Sequence, residues 1–146
     1  MDYEIEYLSL EDLTGQLQTA LELAVAEAKV VLPEMIFAHG AVVFKGNRVL
    51  GVGHNEERPL ADLSRKTIRY RSLTEFSAHA ELMALKDARW FSKGSSLLTA
   101  RWTRENCLGK GKPCTMCMPK LLTHPCLSRI YFSVDTEKLG MIRIRR

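Results

Sequence analysis

Pro113-Cys114-Thr115-Met116-Cys117, taken with His79-Ala80-Glu81 earlier in the chain, decides how this sequence is read. A Cys-x-x-Cys step at the start of a helix turns both sulfurs toward one point, and the orphan N–H groups and dipole of that helix favour the thiolate form a metal requires. His79 opens a second helix, so two helix starts can aim at a single ion. A His/Cys/Cys donor set suits zinc, and three protein ligands leave the fourth tetrahedral position to water, as in catalytic rather than structural zinc. Glu81 lies two residues past the histidine and is placed to share that water's proton. Each half is weak by itself, because a bare Cys-x-x-Cys also occurs in redox sites and structural knuckles, and His-x-Glu arises by chance. Their joint occurrence carries the signal.

Working outward, Leu97-Leu98-Thr99-Ala100-Arg101-Trp102 between the two motifs reads as a strand, and Cys107 to Pro113 as a Gly/Lys loop. Periodicity predicts a helix over His79 to Trp90, with Leu82, Leu85 and Ala88 on one face. Another is predicted over Cys114 to Thr123, where Pro119 demands a kink or a late start. Upstream, apolar residues at Leu13, Leu17, Leu21, Ala24, Val25, Ala28 and Leu32 follow the helical period, and Pro33 ends that helix. Gly40 to Phe44 and Val49 to Gly53 are β-rich runs joined through Gly46-Asn47, a hairpin signal. From Asn55 to Ser77 no period holds, and the segment reads as a long loop carrying Arg65, Lys66, Arg69 and Arg71. Downstream, Ile130 to Val134 and Met141 to Ile144 read as the last two strands. Too few residues separate them for a parallel crossover, so they should pair antiparallel.

Composition sets the frame around these elements. The chain has 146 residues, of which 46% are apolar, enough for a core of ordinary size in one domain spanning 1–146. Met1-Asp2-Tyr3-Glu4 lacks the basic flank and apolar run of a signal peptide, so a reducing cytoplasm is expected, where the four cysteines bind metal or stay free. No segment suits a membrane span. The formal charge of +4 is concentrated near Arg143, Arg145 and Arg146, and it would suit an anionic substrate as readily as it would keep a surface soluble.

The motif pair implies a hydrolytic reaction. Zinc lowers the pKa of a water toward neutrality. The oxygen can then attack an amidine-like carbon such as C4 of cytosine, while Glu81 takes the water's proton, protonates the ring nitrogen and assists loss of ammonia. His-x-Glu followed by Pro-Cys-x-x-Cys is the signature of zinc deaminases. From about Leu13 to Val134 the chain resembles the cytidine and deoxycytidylate deaminase superfamily, through Gly53-His54-Asn55, His79-Ala80-Glu81-Leu82-Met83-Ala84-Leu85 and Lys112-Pro113-Cys114-Thr115-Met116-Cys117. The closest likeness is to deaminase-like proteins of bacteriophages. The resemblance implies an α/β, three-layer cytidine-deaminase-like fold, with a mixed five-stranded sheet and helices on both faces. It implies Zn2+ held by His79, Cys114 and Cys117, with Glu81 catalytic. Asn55 would contact the sugar, the backbone N–H of Ala80 the base carbonyl, and that of Cys114 the attacking oxygen. It also implies a homo-oligomer. Lys112 stands where tRNA adenosine deaminases usually carry Glu, and the C-terminal hairpin resembles the cytidine deaminase branch.

Plainer readings stand beside these. Cys107, Cys126, His124 or His54 could complete a structural zinc site, and Cys114 with Cys117 could be a redox pair. Asn55 could simply make a strand-end turn. The Arg65 to Arg71 segment suits a solvated face or a phosphate clamp. Trp90, Phe91 and Trp102 read as core, while Cys107, Cys126 and His124 have no assigned role. The expected substrate is a free cytosine nucleoside or nucleotide of the dCMP or cytidine type, with no membrane partner. The alternative is a cytosine or adenine deaminase acting on single-stranded DNA or RNA, and a third reading is a zinc-stabilised binding module.

Overall fold

The computed structural model describes residues 3–32, 38–57, 77–89 and 91–145. In chain order the elements are β1 (Glu6–Ser9), α1 (Gly15–Val31), β2 (Ala38–Lys45), β3 (Arg48–His54), β4 (Glu56–Glu57), β5 (Ser77–Ala78), α2 (Ala80–Ala88), β6 (Ser95–Trp102), β7 (Leu108–Gly109), α3 (Cys117–Leu122), β8 (Leu127–Ser133) and β9 (Lys138–Arg143). The main sheet runs β1-β9-β8-β6-β2-β3, with β7 paired to β6. It therefore has seven strands rather than the five expected. β6 and β8 are parallel and every other pair is antiparallel, so the sheet is mixed.

The predicted C-terminal hairpin is present: β8 and β9 pair antiparallel from Arg129↔Arg143 to Ser133↔Leu139. Asp135 shapes its turn, Oδ1 accepting the N–H groups of Glu137 at 2.8 Å and Lys138 at 3.0 Å. The two additional strands are short. β1 lies against β9 at the sheet edge. β7 turns part of the expected Gly/Lys loop into a brief hairpin with Arg101 and Trp102. The ends of the expected long loop close on each other as a separate pair, Glu56↔Ala78 and Glu57↔Ser77. Pro33, Trp90, Arg146 and the Arg65, Lys66, Arg69, Arg71 segment lie outside the described residues.

Helices cover both faces, giving the three layers expected. On one face α1 buries a stripe of alanines, Ala20 and Ala24 against Val42, Phe44, Leu98 and Ala100, with Ala28 against Ala38. The leucines of α1 are only half-buried beside that stripe. Small side chains allow close approach, and Gly40 of β2 shows how close: a Cβ there would lie 1.8 Å from the carbonyl oxygen of Ala24. On the opposite face Ala80, Ala84 and Ala88 of α2 and Met118 and Leu121 of α3 pack on Ala41, Val43, Leu97 and Ile130. Among the described residues no helix is long and apolar enough to cross a membrane.

α3 answers the Pro119 problem. The helix begins late, at Cys117, so Pro119 falls in its first turn, where the missing N–H would have no intrahelical partner anyway. Cys114 consequently sits in the turn before the helix. Its carbonyl accepts the N–H groups of Cys117 at 3.1 Å and Met118 at 2.9 Å.

Candidate metal centre

His79 caps α2 in an extended conformation, φ −80° and ψ 143°, and its carbonyl accepts the Met83 N–H at 3.0 Å. That geometry points the imidazole away from the helix barrel and toward the turn before α3. Its Nδ1 lies 3.2 Å from Cys117 Sγ and 3.5 Å from Cys114 Sγ. The three donor atoms are all within 4.8 Å of one another. Tetrahedral zinc with ordinary Zn–S and Zn–N bonds separates S from N by about 3.6 Å and S from S by about 3.8 Å. The donors fit the ion.

The electrostatics of the cluster point the same way. Cys117 is fully buried and Glu81 is 4% exposed. Burial, the Glu81 carboxylate beside it and the neighbouring Cys114 together push the Cys117 thiol well up. Two thiols and a carboxylate thus converge where each opposes another's negative charge. A divalent cation is the counter-charge that makes the thiolates favourable. The Nε2 of His79 is buried with no hydrogen-bond partner among the described residues, and Nδ1 is the imidazole atom beside the sulfurs.

Glu81 lies in the first turn of α2, and its carboxylate is among the causes that push the Cys117 thiol up. On its other side Oε1 accepts the hydroxyl of Thr99 at 3.1 Å. Thr99 sits on the central strand β6 and is fully buried. Nothing in the sequence pattern marked it, beyond being a polar residue in an otherwise apolar run.

Asn55 and Ala80 flank this cluster differently. Asn55 is buried, and its Oδ1 accepts the His39 N–H at 2.8 Å while its own N–H donates to the His39 carbonyl at 3.3 Å. It therefore closes the open end of the β2–β3 hairpin. Ala80 is the first residue of α2, so its N–H has no acceptor within the helix. His39, opposite Arg101 in the β2–β6 register, was also missed. Burial, the Arg101 guanidinium and His79 hold it down to about 4, so its imidazole is neutral at pH 7.

The residues considered as a fourth ligand lie elsewhere. Cys107 Sγ is 3.2 Å from Thr103 Oγ1, and His54 Nδ1 is 2.8 Å from Glu27 Oε2. His124 stacks on Phe91 with ring centroids 5.0 Å apart, and its Nδ1 accepts the Cys126 N–H at 3.2 Å. Among the described residues, His79, Cys114 and Cys117 form the one group of three or more candidate metal ligands. Trp102, expected in the core, is half-buried beneath the Lys29 ammonium, 4.5 Å from its ring centroid.

No curated protein matches the sequence significantly. Residues 14–134 match the profile of the cytidine and deoxycytidylate deaminase zinc-binding region.

Proposed function

The chain belongs to the cytidine and deoxycytidylate deaminase family, a zinc-dependent family of hydrolytic deaminases, and from that premise we propose that it converts the cytosine of a free nucleoside or nucleotide to uracil. The carrying observation is the convergence of one imidazole nitrogen and two thiols, with a buried carboxylate at their side.

His79, Cys114 and Cys117 would hold the zinc. When bound, the ion supplies Lewis acidity that brings a water's pKa toward neutrality. Glu81 accepts a proton from the attacking water and delivers it to the ring nitrogen adjacent to the reacting carbon; it then takes the second proton from the hydroxyl now bonded to that carbon and passes it to the amine, which leaves as ammonia while the carbonyl forms. Water and cytosine become uracil and ammonia, and Glu81 returns to its starting state. The N–H of Ala80 is a donor suited to the base carbonyl, and Asn55 is the neighbouring candidate for the sugar. Family resemblance adds self-association, which sedimentation velocity would test.

An ammonia-release screen decides the reading. Zinc-loaded protein should carry about one zinc per chain and release ammonia from cytidine, deoxycytidine, dCMP or dCTP. No turnover on any of them would refute it. One observation favours the polynucleotide alternative: a groove of about 410 Å³ reaches Cys114 between Lys110, Lys112 and Tyr3. Release of ammonia from single-stranded DNA or RNA alone, with binding that weakens steeply as salt rises, would favour that alternative.

A further inference from the structure

We infer that Thr99 is a positioning residue for Glu81, fixing the carboxylate so that one oxygen is free to move protons; the inference rests on the proton-shuttle reading of Glu81. Thr99 stands opposite Ala41 of β2 and Phe132 of β8, so strands pair with it on both sides and its backbone cannot drift. Its hydroxyl is directed at the first turn of α2, where it donates to Glu81 Oε1 at 3.1 Å in a region closed to solvent. A β-branched side chain has few χ1 choices, which makes this donor rigid before any substrate arrives.

Glu81 needs such a fixture. It must receive a proton in one place and release it in another, and a glutamate reaches its carboxylate through three rotatable bonds. A donor holding Oε1 sets the plane of the carboxylate, leaving the other oxygen for the proton. Buried hydrogen bonds to a charged group are strong, because water cannot substitute for the lost partner. A displacement of about 1 Å in a reacting group can cost about a hundredfold in rate. Thr99 thus makes no bond to the substrate; it acts through Glu81.

The test compares Thr99→Val, Thr99→Ala and Thr99→Ser in zinc-loaded protein, with Glu81→Gln alongside, using ammonia release from cytidine and dCMP. Valine keeps the shape and removes the donor; alanine guards against a valine variant that fails to fold; serine restores the hydroxyl. We expect kcat to fall about ten- to a hundredfold in T99V and T99A, with KM changed by no more than about twofold. T99S should recover to within about threefold of the parent, and all three should retain zinc. Crystal structures of T99V should show the Glu81 side chain displaced or split between two positions. Unchanged kcat in T99V and T99A, a loss carried by KM, or T99S no better than T99A would overturn the assignment. So would an undisturbed Glu81 in the T99V structure, a readout that holds even if neither compound is a substrate. If Glu81→Gln is inactive while T99V is unimpaired, only Thr99 is misassigned; if Glu81→Gln is fully active, the shuttle itself is wrong.

Discussion

Substituting alanine for Gly53 should damage the metal centre from a distance. Gly53 lies on β3 under α2, and a Cβ there would stand 2.5 Å from the Ala84 nitrogen and 2.8 Å from the Met83 carbonyl carbon. Ordinary contacts begin at 3.4 Å, so α2 must retreat by about 0.9 Å, the difference 3.4 − 2.5. Both obstructing atoms are helix backbone and no side chain can swing aside. Overpacking of this kind costs about 1–3 kcal/mol. For a chain of this length that lowers the melting temperature by about 3–9 °C, taking about 3 °C per kcal/mol. The same retreat carries His79 away from sulfurs now 3.2 and 3.5 Å from its Nδ1, whereas zinc bond lengths tolerate only about 0.2 Å. Zinc affinity should fall together with stability. Thermal unfolding by circular dichroism and zinc competition with a chromophoric chelator would measure the two effects. Gly15→Ala is the control, since nothing lies within 4 Å of a Cβ there. A Gly53→Ala protein with unchanged zinc affinity would refute the claim that β3 sets the position of α2, whatever its melting temperature did.

Four further outcomes follow from the site. Glu81→Gln should keep fold and zinc while turnover drops by about 10²–10⁴, the range for losing a general acid–base group; ammonia release and metal analysis read both. Cys117→Ser should lose most of its zinc after dialysis against a mild chelator, because a buried hydroxyl cannot replace the thiolate; full retention would exclude Cys117 as a ligand. Removing zinc from the parent should lower the melting temperature, since a ligand held at 100 times its Kd stabilises the folded state by about 2.7 kcal/mol. Finally, His39 titrates near 4 when folded against an ordinary 6.5, so the unfolded chain binds more protons between those values and stability should fall as pH drops through that window. The slope for one proton approaches about 1.4 kcal/mol per pH unit, and His39→Gln should flatten it in urea unfolding curves.

The elements legible in the sequence were those whose apolar pattern is set by burial on a large surface. α1, α2, the β2–β3 hairpin and the β8–β9 hairpin each bury a face, and each emerges close to its expected limits. Elements held chiefly by backbone pairing were missed. β1 has four mostly exposed residues and draws its place from pairing with β9, although Tyr3-Glu4-Ile5-Glu6-Tyr7 alternates in the manner of a strand. β7 is two residues long, and no periodicity can appear in two residues. Along α1 the periodic pattern included Ala24 and Ala28, which are fully buried against the sheet, and passed over Ala20, which is buried beside them, while the helix leucines are only half-buried.

The site divides along the same physical line. His79, Glu81, Cys114 and Cys117 were legible because their chemistry fixes their spacing along two short stretches of chain. Thr99 was not, because its partner is eighteen residues away and the contact exists only once β6 lies beneath α2. The fold makes that contact and the cluster together. Between the parallel strands β6 and β8 the chain must cross over, and the crossing carries Cys114 and Cys117 across the sheet face that α2 already occupies. Gly51 and Gly53 bring α2 down onto that face, and Thr99 meets Glu81 there from below. A change that lifts α2 should therefore disturb the ligands and the proton-moving carboxylate at once, whereas a change at Thr99 should disturb the carboxylate alone.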